Sequence, residues 1–338
     1  MAESWAVKYR PRDFKSICSQ TSVIKVLTKQ IETNQLKNCY LFSGPSGTGK
    51  TTTARAFATL INEGKGEPIE IDGASNNGVD NVRTIIKGAQ ERAIDCKYKI
   101  YIIDECHAIT NQAWQAFLKC IEEPPTYTIF MFCTTDPQKI PATVLNRVMK
   151  FNLTKIETSV IQSRLEYICK QENVVYTQEA LEFIAKVSDG GLRDAIASMQ
   201  KCSDYGPIDI KNVLECLGAF SYSTFFDLVN ALIDGTEATI LNIVEEYHSK
   251  GYDLKLFIEQ FLNFTLDVAK YAIFKNCSLV KIPSSMEQDL IHATNVENAS
   301  GYYMYVVDKL LDLKQMLKND TAVKDTIEVS LLRIARYM

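Results

Sequence analysis

The segment GPSGTGKTT, from Gly44 to Thr52, constrains the fold of this chain more than any other feature. It follows the apolar run CYLFS and precedes the helical run TTARAFATLI. The spacing Gly-x-x-x-x-Gly-Lys-Thr is typical of a phosphate-binding loop, in which glycines let backbone N–H groups surround a phosphate at the N-terminus of a helix. The segment therefore predicts a strand, a loop and a helix in an α/β nucleotide-binding domain. The alternative is a glycine-rich turn without a ligand, which would not require this strand–loop–helix context.

The residues of this loop have expected roles in binding ATP and Mg²⁺. Lys50 would reach the β- and γ-phosphates, and the hydroxyl of Thr51 would be a ligand of Mg²⁺. We expect the whole segment to contact ATP, that is Gly44, Pro45, Ser46, Gly47, Thr48, Gly49, Lys50, Thr51 and Thr52.

A second polar element, in the sequence YIIDECH, follows an apolar run and ends it with Asp104 and Glu105. Because the carboxyl ends of parallel strands meet at one edge of a sheet, we expect both carboxylates beside the phosphate-binding loop. Asp104 would hold Mg²⁺ through its water shell, and Glu105 would orient and polarise the attacking water. Cys106 and His107 come next, but one cysteine and one histidine do not make a tetrahedral metal site. A packing or helix-start role is expected for these two residues.

The order of apolar runs predicts the domain organisation. Four β-rich runs, CYLFS (39–43), PIEID (68–72), YKIYIIDE (98–105) and TIFMFCTT (128–135), are typical of a parallel sheet covered on both faces. From about residue 153 the apolar residues recur at helical spacing instead. We therefore expect an α/β domain over residues 1–152, a small helical domain over 153–218 and an all-α domain over 219–338.

Composition restricts the function classes further. The formal net charge is −4, so the chain as a whole does not attract nucleic acid. Any nucleic-acid binding would require a local basic or amide-rich surface. The ten cysteines are scattered without a CxxC pair, which is typical of reduced thiols and predicts no zinc site. There is no run of about 18 apolar residues and no apolar leader, so we expect a cytoplasmic protein with no membrane contact.

Five motifs occur in an order that identifies a family. They are KYRPRDF (8–14), the phosphate-binding loop, DECH, TTDPQKIPATVLNR (134–147) and GGLRDA (190–195). Together they resemble the AAA+ ATPase subunits of bacterial sliding-clamp loaders, of the DNA polymerase III gamma/tau type. The resemblance is close over residues 1–218 and weaker beyond. Its most specific piece is EEPPTYTIFMFCTTDPQKIP.

The resemblance implies an α/β P-loop AAA+ domain, a helical lid domain and an all-α collar domain. It implies an ATPase motor that opens a ring clamp and places it on primed DNA, with ATP and Mg²⁺ as cofactors. The implied partners are other clamp-loader subunits in a ring or spiral held by the collar, the sliding clamp, and primed DNA.

The resemblance also implies roles for residues outside the loop. Thr135, which matches better than Thr134, would sense the γ-phosphate, and Arg147 would be an arginine finger that enters the ATP site of the neighbouring subunit. Arg193 would be the second sensor in the same subunit; its alternative is an ion pair with Asp194 or Asp189. The adenine pocket would be lined by Val7, Tyr9, Arg10 and Pro11, although an N-terminal strand clamp would use the same residues.

The resemblance implies that DNA binds at the segment GASNNGVDNVR, where Asn76, Asn77 and Gly78 precede a helical run. Free backbone amides and the positive end of the helix dipole suit a phosphate there. The alternative is an ordinary helix start capped by Ser75 or Asn77. Both remain open, since one loop can serve both purposes.

Three departures from the family pattern are visible. The family's four-cysteine zinc module is absent from ATLINEGKGEPIEI, and no long C-terminal extension follows the helical third of the chain. Asn146-Arg147-Val148 stands where the family usually has Ser-Arg-Cys. We therefore expect a short, motor-only subunit. The alternatives are a non-hydrolysing scaffold subunit of the same assembly and another AAA+ DNA-remodelling ATPase such as a Holliday-junction motor. The intact loop and Asp104-Glu105 argue against the first, and TTDPQKIP argues against the second.

Overall fold

The computed structural model describes residues 3–218, 220–283 and 286–336. By contacts between Cα atoms the chain forms two compact units. The first runs to Glu172 and includes Ser188–Gln200, and the second comprises Asn173–Val187 and the chain from Lys201 onward. The predicted domain boundaries after residues 152 and 218 stay predictions.

The first unit is built on five parallel strands. They are β1 Cys39–Ser43, β2 Ile69–Asp72, β3 Lys99–Asp104, β4 Thr128–Thr134 and β5 Met149–Asn152, in the order β2-β3-β4-β1-β5. The four predicted strands are confirmed. The fifth, with the sequence MKFN, was not predicted, because a four-residue run with alternating polarity carries too little signal.

Helices account for most of the remaining chain. In chain order they are α1 Trp5–Lys8, α2 Thr21–Glu32, α3 Lys50–Ile61, α4 Val79–Ala89, α5 Asn111–Glu122, α6 Ala142–Leu145, α7 Thr158–Glu172, α8 Gln178–Val187, α9 Leu192–Tyr205, α10 Ile210–Leu217, α11 Tyr222–Asp234, α12 Glu237–Ser249, α13 Leu254–Phe274, α14 Glu287–Ala293, α15 Ala299–Met316 and α16 Val323–Ala335.

Side chains of the central strands alternate between two cores, one on each face of the sheet. On one face Leu41, Tyr101 and Phe130 pack with residues of α4 and α5, including the fully buried Trp114. On the other face Tyr40, Phe42, Ile102 and Met131 pack with residues of α2 and α3, including Leu27 and Phe57. This double coverage explains why every residue of β1 and β4 is buried.

The expectation that every strand is covered on both faces is wrong for β2. Three of its four residues are exposed, and Ile69 keeps 41% of its surface accessible. The reason is its position, because β2 lies at the edge of the sheet and pairs only with β3. The acidic residues in IEID suit an edge strand, since charge there discourages pairing with another chain.

The second unit is helical. Its largest core joins α11 to α16, with α13 packed along α15, and is rich in phenylalanine. Phe225, Phe257, Phe261 and Phe264 pack ring against ring with centroid distances of 5.4 to 6.4 Å. The predicted fold class, a P-loop α/β domain followed by helical regions, is confirmed.

No single helix in the described ranges is long and apolar enough to cross a membrane. Helices α10 and α11 are together long and apolar enough to span a membrane, but the chain bends by 82° between them.

Candidate nucleotide site

The phosphate-binding loop joins the end of β1 to the start of α3. Its backbone needs glycine at Gly44 (φ +148°) and Gly47 (φ +71°). A Cβ atom at Gly44 would lie 2.3 Å from the carbonyl oxygen of Leu153, and one at Gly47 would lie 2.8 Å from the Cα of Gly191. The loop is therefore packed against Leu153, the residue directly after β5, and against the turn that precedes α9.

Lys50 lies inside this loop and is only 7% exposed. Its Nζ donates hydrogen bonds to the carbonyl oxygens of Gly44 (3.0 Å) and Pro45 (2.8 Å). Burial lowers the pKa of Lys50, although the carboxylates of Glu105 and Asp104 oppose this shift. A buried ammonium group held only by carbonyls suits a site that receives a multiply charged anion.

Thr51 and Asp104 form the pair that fits a magnesium ion. The hydroxyl of Thr51 donates to Oδ2 of Asp104 at 2.7 Å, and Oδ1 of Asp104 accepts from the backbone N–H of Glu105 at 3.0 Å. Both groups are oxygen ligands, which Mg²⁺ prefers, and it commonly takes one or two protein ligands with phosphate oxygens and water completing its shell. Within the described residues there is no cluster of three or more His, Cys, Asp and Glu side chains that could hold a metal by itself.

Glu105 follows β3 with a left-handed backbone (φ 45°), which is uncommon for a residue with a side chain. Its Oε2 lies 3.2 Å from Nδ1 of His107 and accepts a hydrogen bond from the Thr135 hydroxyl at 3.4 Å. Thr134 is fully buried, and its hydroxyl lies 3.2 Å from the same His107 nitrogen. Of the two threonines, Thr135 is the one that reaches Glu105.

His107 is the residue whose place at the site the sequence analysis missed. The sequence suggested packing or a helix start, and His107 does lie in a 3-10 turn, Cys106–Ala108. It also contacts both Glu105 and Thr134. The available signal was its position two residues after Glu105, where a tight turn brings the two side chains together. Cys106 is fully buried, and burial raises the pKa of its thiol well above the usual value.

One pocket brings the phosphate-binding loop together with several of the other predicted residues. Residues 46–52 line it together with Asp104, Glu105 and Arg193, and Tyr9, Arg10 and Pro11 line it from the N-terminal segment. Val7 does not line it and is 52% exposed, whereas Ala6 does.

The N-terminal segment is held against α7 and α9. Lys8 Nζ lies 2.6 Å from Oε1 of Glu172, and the Tyr9 hydroxyl donates to the same oxygen. Arg164 donates to the carbonyl of Tyr9 at 3.0 Å, and the N–H of Trp5 donates to Oε1 of Gln200 at 2.8 Å. The pocket wall from Ala6 to Pro11 is thus fixed to helices of the predicted lid.

Arg193 lies in the first turn of α9 and is exposed towards the pocket. The N–H of Leu192 donates to the carbonyl of Gly47 at 3.1 Å, so the start of α9 contacts the phosphate-binding loop directly. Asp189 pairs instead with Lys155 at 2.5 Å. No ion pair of Arg193 occurs in the described part of the chain, so the alternative that assigned it to Asp189 or Asp194 is wrong.

Arg147 lies away from this pocket. It is exposed, its Nη2 lies 2.7 Å from Oε1 of Glu122, and its Nη1 donates to the carbonyl of Thr143 at 2.7 Å. It does not line the pocket formed by its own loop.

The segment proposed to meet DNA precedes α4. Gly78 is the N-cap residue, and no side chain caps the helix. Ser75 instead donates to Asp72 at 2.6 Å, so the alternative in which Ser75 or Asn77 caps α4 is wrong. Asn77 is exposed, and Asn76 and Gly78 are partly so.

Known families match three consecutive parts of this chain. Residues 67–157 match "DNA polymerase III, delta subunit", and residues 160–199 match "DNA polymerase III clamp loader subunit, ATPase lid domain". Residues 208–337 match "DNA polymerase III subunits gamma and tau domain III". The chain belongs to the clamp-loader AAA+ family. The resemblance drawn from its motifs is thereby confirmed.

Individual relatives agree with this assignment. The chain is 31% identical to DNA polymerase III subunit gamma/tau of Mycoplasma genitalium, over 89% of this chain and 53% of the relative. It is 32% identical to DNA polymerase III subunit tau of Bacillus subtilis, over 78% of this chain and 51% of the relative. The chain therefore spans about half the length of these curated relatives.

Solved structures bear on the fold alone. The RuvB Holliday junction branch migration motor of Thermotoga maritima superimposes with a TM-score of 0.53 at 18% identity, covering 77% of this chain and 91% of that one. This chain thus has the AAA+ fold, and its sequence relatives are DNA polymerase III subunits.

Proposed function

We propose that this chain is an ATP-hydrolysing motor subunit that opens a sliding clamp and loads it onto primed DNA. The observation that carries the proposal is the hydrogen bond of Thr51 to Asp104 at 2.7 Å, in the same pocket as the buried Lys50 and Glu105. A non-hydrolysing scaffold would not need an acidic residue placed beside the phosphate-binding loop. Membership of the clamp-loader family supplies the substrate class.

Catalysis of phosphoryl transfer depends on positioning and on charge. Mg·ATP, when bound, would supply the phosphoanhydride bond to be hydrolysed and a divalent cation that offsets phosphate charge. Lys50 neutralises phosphate charge, and Thr51 with Asp104 would hold the ion. Glu105 would accept a hydrogen bond from the attacking water and orient it. The hydroxyl of Thr135 donates to Glu105 and would hold its carboxylate in position.

The remaining pocket residues would tie nucleotide state to conformation. Arg193 would contact the γ-phosphate from α9, the helix whose first turn hydrogen-bonds to Gly47. Tyr9 and Pro11 would line the adenine, with Val7 as an outer residue of the same segment. Closing and opening of the lid would then follow ATP binding and hydrolysis.

Arg147 would complete the ATP site of a neighbouring subunit. Support comes from its exposure and its separation from its own pocket. Its guanidinium lies at the surface, in an ion pair with Glu122 and a hydrogen bond to the carbonyl of Thr143. The collar, residues 219–338, would hold such subunits together.

Primed DNA would be met by Asn76, Asn77 and the N-terminus of α4. The uncapped helix start leaves backbone N–H groups available for a phosphate, and such groups do not distinguish bases.

We expect ATPase activity to be low for the chain alone and to rise when partner subunits, clamp and primed DNA are all present. The reason is that sites at subunit interfaces are completed only when DNA organises the assembly. A steady-state phosphate-release assay with each component omitted in turn measures this. Stimulation should be independent of sequence and should weaken only modestly with salt, since neutral amides release no counterions.

Two results would contradict the proposal. One is a strong sequence preference among primed templates of equal length. The other is equal stimulation by single strands without a primer, which would indicate a different AAA+ DNA motor.

A further inference from the structure

His107 contacts the carboxylate of Glu105 but does not itself line the nucleotide pocket. Its Nδ1 lies 3.2 Å from Oε2 of Glu105 and 3.2 Å from the hydroxyl oxygen of Thr134. Glu105 lines the pocket, whereas the side chains of His107 and Thr134 do not. The histidine is therefore placed to act on the reaction through Glu105 and not by touching the nucleotide.

The chemistry of the neighbouring oxygen atoms indicates where the imidazole proton lies. An ionised carboxylate has no proton to donate, so the contact between Nδ1 of His107 and Oε2 of Glu105 is favourable only if Nδ1 carries the hydrogen. The other neighbour, the fully buried Thr134, is fixed beside the ring, because its oxygen accepts the backbone N–H of Asp136 at 3.0 Å. We therefore assign the proton to Nδ1, where it can be donated to Glu105.

The turn that carries His107 is held firmly in the first unit. It is the 3-10 turn Cys106–Ala108, which directly follows Glu105. Cys106 and Ile109 are buried in the core that packs with α4 and α5. The histidine side chain is only 22% exposed, against 43% for that of Glu105. The ring therefore offers a donor in a fixed place, whereas the Glu105 side chain alone would be free to change rotamer.

The carboxylate of Glu105 receives both of its contacts on one oxygen atom. Oε2 accepts a hydrogen bond from the Thr135 hydroxyl at 3.4 Å and lies 3.2 Å from Nδ1 of His107. Among the described residues, no group bonds to Oε1 of Glu105. Two donors on Oε2 restrict rotation of the carboxylate and leave Oε1 available to a water molecule in the pocket.

We propose that His107 is a positioning residue for ATP hydrolysis. Its Nδ1–H holds Oε2 of Glu105, and the orientation that results presents Oε1 to the attacking water. A small displacement of a catalytic group from its productive position lowers the rate strongly. The effect falls on hydrolysis and not on nucleotide binding, since Glu105 contacts the water and not the phosphates. This inference rests on the proposed role of Glu105 in orienting that water.

The first test compares His107→Ala with His248→Ala, which removes an exposed histidine of α12 and is the matched control. Affinity for Mg·ATP is measured on each full chain by titration with a fluorescent ATP analogue. Hydrolysis is measured in single turnovers with partner subunits, clamp and primed DNA present. We expect His107→Ala to slow hydrolysis by about 10- to 100-fold, the loss typical of a hydrogen bond to a charged group, with ATP affinity within about threefold of wild type. His248→Ala should change neither.

Two variants of nearly equal shape test whether the donor itself matters. His107→Asn places an amide N–H close to the position of Nδ1, whereas His107→Leu fills similar space without a donor. We expect His107→Asn to hydrolyse ATP at least about fivefold faster than His107→Leu, because only the amide can hold the Glu105 carboxylate. Equal rates in these two variants would overturn the inference, since the loss would then come from packing.

A double-mutant cycle tests whether the effect passes through Glu105. In a Glu105→Ala background, His107→Ala should slow hydrolysis by less than about a further twofold. A loss as large as that in the wild-type background would overturn the inference. So would a wild-type rate in His107→Ala, or an ATP affinity lowered as much as the rate. If Glu105→Ala itself hydrolysed ATP at the wild-type rate, the proposed function would fail instead, and the two failures are therefore distinguishable.

Discussion

Lys50→Ala is expected to lose nucleotide binding, with a dissociation constant for Mg·ATP raised by at least about 100-fold. The ammonium group is buried in the loop, 2.8 Å from the Pro45 carbonyl and 3.0 Å from that of Gly44, where no other cation of the loop can replace it. A charged hydrogen bond to phosphate in such a place contributes about 3 kcal/mol, which corresponds to a loss of this size. Equilibrium titration with a fluorescent ATP analogue measures it.

Glu105→Gln is the matched variant, because it removes charge from the same pocket without removing a phosphate contact. It should bind Mg·ATP within about threefold of the wild-type affinity and hydrolyse it about 10²- to 10⁴-fold more slowly, as expected when a group that polarises water is lost. Unaltered turnover in Glu105→Gln would exclude Glu105 from the mechanism. Wild-type ATP affinity in Lys50→Ala would show that this pocket is not the nucleotide site and would favour the scaffold alternative.

Arg147→Ala is expected to reduce the ATPase rate of the assembled complex by about 10³- to 10⁵-fold, the range known for arginine fingers. The isolated variant should bind ATP as the wild type does, since Arg147 does not line the pocket of its own chain. Lys150→Ala, an exposed cation three residues later, is the control and should have wild-type activity. Phosphate release is measured for each variant alone and with partner subunits.

Mixing Arg147→Ala with Lys50→Ala chains separates action in trans from action in cis. An intact loop facing an intact arginine can form only where the two variants meet, so the mixture should recover activity that neither variant has alone. If Arg147→Ala lowered the ATPase of the isolated chain as much as that of the assembly, the arginine would act within its own subunit.

The loop and its neighbouring carboxylates could be predicted because their chemistry requires a fixed spacing. Gly44 to Thr52 contains a complete phosphate-binding pattern, and Asp104 ends a run apolar enough to identify a central strand. Parallel sheets then bring such strand ends together at one edge. The contact between Thr51 and Asp104, 53 positions apart in the sequence, agrees with that argument.

Other features depend on tertiary contacts that a single sequence does not contain. The strand order β2-β3-β4-β1-β5 places β2 at an edge of the sheet. The sequence PIEID does not indicate how much of this strand is buried. Ala6 lines the pocket and Val7 does not, because hydrogen bonds and an ion pair to α7 and α9 fix the orientation of α1. The partner of Arg147, Glu122, is the last residue of α5, whereas Arg147 lies in the turn before β5, so pattern alone could not pair them.

Arg10 illustrates the same limit at the level of a single side chain. The motif KYRP assigned it to a segment beside the adenine, and the chain does bring that segment to the pocket. The motif does not indicate that its side chain is half-buried and lines the pocket together with Arg193, which lies far away in the sequence.

The most direct test of the central proposal is the retention of a labelled sliding clamp on primed circular DNA, measured after gel filtration with the partner subunits present. With the wild-type chain we expect retention that requires ATP and a primer, and with Lys50→Ala we expect none. Retention of the clamp by Lys50→Ala at the wild-type level, or by the wild type without ATP, would contradict the account of this chain as the motor of a clamp loader.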